Sequence, residues 1–127
     1  MKTTDTIYNQ HSENTGLMQK LFFYKDEIAI MQKRIAEVAD KNSAKEVLAQ
    51  IEHFQNQLIV QNNNIDMIKH DVEQNEKGLV DTINKNEVAV DHRKVKDHTF
   101  EREEVNTFEK NFNKLRQELG KFLSKWI

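Results

Sequence analysis

Carboxylates and histidines are the residues of this 127-residue chain whose types and spacing could do chemistry: 21 Asp and Glu and five His, with no cysteine. Asp66, His70 and Glu73 lie four and three apart, so a helix would bring them to one face, as it does for helix-borne metal ligands. Di-iron bundles instead use inward-facing Glu and Glu-x-x-His on facing helices, and here His70 precedes Glu73 in the reverse order. His70 also falls opposite the apolar seam described below, and His53 points outward, so both read as solvated. Asp91, His92, Asp97, His98 and Glu101 form a denser group whose imidazoles and carboxylates could hold a divalent cation. A polar stretch in a chain with 31% charged residues produces such groups readily. There is no Gly-rich phosphate loop, and no Ser/His/Asp arrangement sits in a motif context. The expectation is a non-enzyme with no catalytic, cofactor-binding or metal-ligating residues. A ferritin-like or hemerythrin-like metal bundle is the runner-up.

The elements that would position these groups are helices. From Val47 the apolar residues recur at Ile51, Phe54, Leu58, Ile65, Ile68, Val72 and Leu79, in gaps of four and three that only Gln61 and Asn75 interrupt. That is a heptad a/d ladder, which gives a helix one seam to present to partners. Leu17, Leu21, Tyr24, Ile28, Met31, Ile35 and Val38 form a second ladder. A third comprises Val105, Phe108, Phe112, Leu115, Leu119, Phe122 and Trp126, and the helical spacing of its aromatics marks them as core rather than a base-stacking platform. Apolar residues make up 37% of the chain, enough for narrow seams, and the absence of proline suits long helices.

The punctuation divides the chain as follows. Residues 1–13 are a loosely ordered polar tail, although Ile7 is in phase with the first ladder; Gly16 weakens a helix running back through it. Helix 1 covers 14–41. Ser43 and Glu46 have capping-box spacing, which predicts a tight turn and an antiparallel hairpin. Helix 2 covers 44–86, passing through Gly78 because Leu79 and Ile83 continue the apolar face. Residues 87–97 read as a loop with Val88 and Val90 plugging the bundle end. Helix 3 covers 98–127, capped by Asp97 or Thr99, with Glu101, Glu103 and Glu104 in its first turns, where carboxylates suit the helix dipole.

The fold expected is a single all-α domain over 1–127, an antiparallel up-down-up three-helix coiled-coil bundle. The alternative is a four-helix bundle broken at Gly78, with a short third helix at 79–95. Buried amides in such seams fix register at a cost in stability. Gln61 is read in that role, whereas Asn75 is divided between that role and a wet end of the seam.

Six apolar residues fall outside the seams at the middle of the expected hairpin: Phe22, Phe23, Ile30, Ile59, Val60 and Met67. They either widen the contact with helix 3 or form a surface for a partner. The function expected is structural or protein–protein interaction, with a homodimer through these residues and another helical protein as a possible partner. Net charge is −2 with both signs interspersed, which gives no global drive toward nucleic acid. Residues 85–127 are mildly basic, so a nucleic-acid accessory role stands as a third reading. No window is apolar enough to span a membrane and the first residues lack a signal-peptide core, so the compartment expected is the cytoplasm.

Overall fold

In the computed structural model the described backbone comprises residues 2–85 and 92–127, with side chains described for 8–81 and 99–127. The chain forms three helices, α1 (Lys2–Lys41), α2 (Lys45–Lys85) and α3 (His92–Trp126). All three pack on one another, so the molecule is an all-α three-helix bundle. Asn14 meets Asn75 and Lys25 meets Asp66, which sets α1 and α2 antiparallel. Glu13 meets Arg102 and Glu27 meets Arg116, which sets α1 and α3 parallel. The course is up, down, up.

The ladders become the core. Every apolar seam residue from Leu17 to Leu79 is buried, and so is every one from Val105 to Phe122; Trp126 is half-buried at the end. The Tyr24 ring stands edge-on to Phe108 and Phe112, with centroids 5.3 and 4.9 Å away, and Phe54 meets Phe122 at 5.1 Å. Such edge-to-face pairs suit the ring quadrupole and add to the area they bury.

The structure differs from the sequence expectation in its punctuation. Helix α1 begins at Lys2 rather than near residue 14, so residues 2–13 are helix and not a tail. The heptad phase explains this: Gln10 and Asn14 occupy the seam positions before Leu17 and are buried although polar. Gly16 does not interrupt the helix, and neither does Gly78, since α2 runs unbroken to Lys85. A separate short helix at 79–95 is therefore absent: residues 79–85 belong to α2 and 92–95 to α3. Helix α3 starts six residues before the expected 98, which leaves Glu101 well inside it and buried at a seam position, not in its first turn. The rest of the expected loop, with Val88 and Val90, lies outside the described residues.

The hairpin turn also works differently. Helix α2 starts at Lys45, with the Ala44 carbonyl accepting from the Leu48 amide at 3.0 Å, so Ala44 and not Ser43 is the N-cap. Ser43 and Glu46 are both exposed. The side-chain bond at this turn comes from Asn42, whose Nδ2 donates to the Val38 carbonyl at 2.9 Å and satisfies an otherwise open acceptor at the end of α1.

Candidate interaction surfaces

Three helices around one axis leave three outer faces, each made of the residues flanking two adjacent seams. On the α1/α3 face the flanking charges repeat every seven residues and alternate in sign. Glu13 accepts from Arg102 at 2.6 Å, Lys20 meets Glu109 at 3.4 Å, and Glu27 receives two guanidinium nitrogens of Arg116, one at 2.8 Å. Arg116 also donates to Asn113 at 2.6 Å and lies 5.1 Å from the Phe112 ring centroid. The Glu27 hydrogen bond is the main cause of its raised pKa, and the fork geometry is what arginine offers a carboxylate. Beside it the Tyr24 hydroxyl donates to Glu109 at 2.6 Å. Burial, then that carboxylate, push its pKa up to about 12.

On the α1/α2 face several charges likewise have partners within the chain. His11 meets Glu76 at 2.7 Å, Lys25 meets Asp66 at 2.7 Å, and Lys69 sits 4.6 Å above the Phe22 ring. An apolar hollow of about 400 Å³ opens here, floored by Val72 and walled by Met18 and Phe22. Asp66 is thus occupied by a lysine, and His70 is exposed. Among the described residues no three His, Asp or Glu side chains gather closely enough to hold a metal ion. Of the denser group, Asp91, His92, Asp97 and His98 lie outside the described side chains.

The α2/α3 face is different, because no ion pair joins α2 to α3 among the described residues. Here Glu104 lies against Asp71. Burial and then the Asp71 carboxylate raise the Glu104 pKa to about 7, and its Oε1 is buried without a hydrogen-bond donor. Two ionised carboxylates supply only acceptors, so a proton held between them, or a donor from outside the pair, is what would satisfy this oxygen. The hollow beside them, about 360 Å³, is lined by Met67, Phe100, Glu103, Glu104 and Asn111 among others. Further toward the hairpin turn, His53, Gln57, Lys114 and Glu118 line a second hollow.

All six off-seam apolar residues, Phe22, Phe23, Ile30, Ile59, Val60 and Met67, are exposed. They do not form one patch. Phe22 borders the α1/α2 hollow and Met67 the α2/α3 hollow. One heptad before Asp66 lies Ile59, also on the α1/α2 side. Val60 falls between Gln57 and Asn64 on the α2/α3 side. Phe23 and Ile30 each follow by three a residue paired with α3, which puts them on the α1/α3 side. Equal level along the hairpin, visible in sequence, does not mean equal direction around it.

The polar seam residues also exchange roles. Asn75 accepts from Asn14 Nδ2 at 3.0 Å across α1/α2, a buried pair that ties the two helices at one level. Gln61 is buried with its Oε1 unpartnered at the edge of the α2/α3 hollow. Of the two seam amides read in the sequence, it is Asn75 that makes the cross-helix hydrogen bond, and its partner Asn14 lies in a stretch whose seam residues are polar.

No helix among the described residues is long and apolar enough to cross a membrane. No protein-family model matches the chain, and no curated protein or solved structure matches it.

Proposed function

We propose that this chain is a non-enzymatic, coiled-coil-type helical scaffold of the cytoplasm that acts through protein–protein contacts and self-associates. One observation carries the reading. The seams already enclose a continuous apolar core, yet Phe22, Phe23, Ile30, Ile59, Val60, Met67 and Phe100 remain exposed on the outer faces. Covering a large apolar side chain is worth about 1.5–3 kcal/mol, so several such groups on one molecule favour association. The expected result is a mass above 15.0 kDa in sedimentation equilibrium at micromolar concentration, rising with loading. A species that stays at 15.0 kDa into the high micromolar range defeats the reading.

A further inference from the structure

We infer that the α2/α3 face is the self-association surface, and that it takes a second copy of this chain in antiparallel two-fold orientation. The inference rests on the self-association proposed above. It starts from the charges. Among the described residues, ion pairs join α1 to α2 and α1 to α3, whereas none joins α2 to α3. Among the described residues the charges of the α2/α3 face are largely segregated. Asp71, Glu103 and Glu104 crowd the end near Phe100, and Lys114, Lys121 and Lys125 occupy the end near the hairpin turn, with Glu118 among them. Lys121 follows Lys114 by one heptad and Lys125 follows Glu118 by one heptad, so both share this face.

Two copies stacked on this face can be related by a two-fold axis in one of two ways. An axis along the bundle sets the copies parallel and lays carboxylates on carboxylates. An axis across the bundle sets them antiparallel, with α3 on the second α3 and α2 on the second α2. Asp71 beside Glu104 and Phe54 beside Phe122 show which α2 and α3 residues share a level. Placed beside Asn64 and Asn111, the transverse axis brings Glu104 over the second copy's Lys121 and Phe100 over the stem of its Lys125. Met67 meets Val60. Lys114 faces Asn111, and Glu118 faces Thr107. Glu104 and Lys121 meet as opposite charges, Lys114 and Glu118 meet polar side chains, and the two apolar residues exposed on the α2 part of this face cover each other. The donor missing from the Asp71–Glu104 pair is then a lysine ammonium. From Phe100 to Lys125 the face measures about 40 Å by 20 Å, close to the ~800 Å² per partner of a stable interface. The arrangement is isologous and closes at two.

The test uses the full chain and two reversals, Glu104→Lys and Lys121→Glu, in sedimentation equilibrium. Wild type is expected to reach twice 15.0 kDa, and more weakly at high salt. Each variant alone sets like charges opposite one another and is expected to dimerise at least tenfold more weakly. Mixed in equal amounts, the two variants restore opposite charges at both contacts, and the mixture is expected to dimerise as wild type does. Recovery on mixing also shows that each variant is folded. A wild type that associates while neither reversal weakens it, or while the mixture does not recover, overturns this face and leaves self-association standing. Open-ended growth beyond two copies overturns the two-fold. A wild type monomeric at high micromolar concentration overturns self-association itself.

Discussion

Glu104 shows how a single residue couples this bundle to pH. Its carboxyl is raised from 4.5 to about 7, first by burial and then by Asp71. A group raised in this way binds its proton more tightly in the folded state. The stability it contributes is full below about pH 4.5 and is lost as pH rises through about 7. Because the side chain is only half-buried, solvent screening reduces the effect to about 1 kcal/mol. Glu104→Gln removes the charge and can donate to Asp71. In dilute protein it should stabilise the fold by about 1 kcal/mol at pH 8 and by nothing near pH 4, as read from urea midpoints at the two pH values. Asn75 and Gln61 make a second contrast. Asn75→Ala removes the acceptor of Asn14 Nδ2 and should cost about 1–3 kcal/mol, whereas Gln61→Leu replaces an amide whose oxygen has no partner and should not destabilise. Thermal melts of the two variants check both; a neutral Asn75→Ala would show that the Asn pair does not hold the level. Both amides were legible in the sequence as breaks in the ladder. The partner of Asn75 was not, because Asn14 lies on another helix and spacing along one helix says nothing about what faces it.

At the scale of the element, α1 and α3 carry a register code. Glu13, Lys20 and Glu27 alternate in sign at heptad spacing, and Arg102, Glu109 and Arg116 complement them. A slip of one heptad between these parallel helices would bring like charges together along the whole series, so the alternation penalises the slip. The double exchange Lys20→Glu/Glu109→Lys keeps the three ion pairs attractive, puts an ammonium that can donate to the Tyr24 hydroxyl where Glu109 accepts from it, and makes α1 uniformly acidic and α3 uniformly basic along this edge. The expected outcome is near-native stability, since exposed pairs are worth only about 0–1 kcal/mol, with loss of the discrimination against slip. A spin label on α1 and another on α3, introduced at exposed positions in a chain with no native cysteine, should report one distance in wild type and a second population in the exchange variant. One distance in both would place register control in the apolar core. The charges that form this code stand in the sequence at fixed spacing. Ladders chosen for apolar residues alone pass over them, as they pass over Gln10 and Asn14, and so place the start of α1 too late.

For the whole molecule, association links stability to concentration. A dimer has a melting temperature that rises with protein concentration, since mass action favours the bound folded state. Melts across a hundredfold range should show that rise in wild type, and Lys121→Glu should need at least tenfold more protein to show it. The sequence by itself determined the helices and the core. A period of four and three fixes which side of each helix is apolar, and the hydrophobic effect then requires those sides to meet, whatever the order around the axis. It also determined that the turn lies near residue 42, because the first two ladders break there. Only the tertiary structure decided which helix flanks which side. That choice separates Phe22 from Met67, pairs several charges of two faces within the chain, and sets Asp71 against Glu104 on the third. The physical reason is that heptad spacing records level and inward direction, while handedness around the axis depends on long-range contacts between helices that no local period contains.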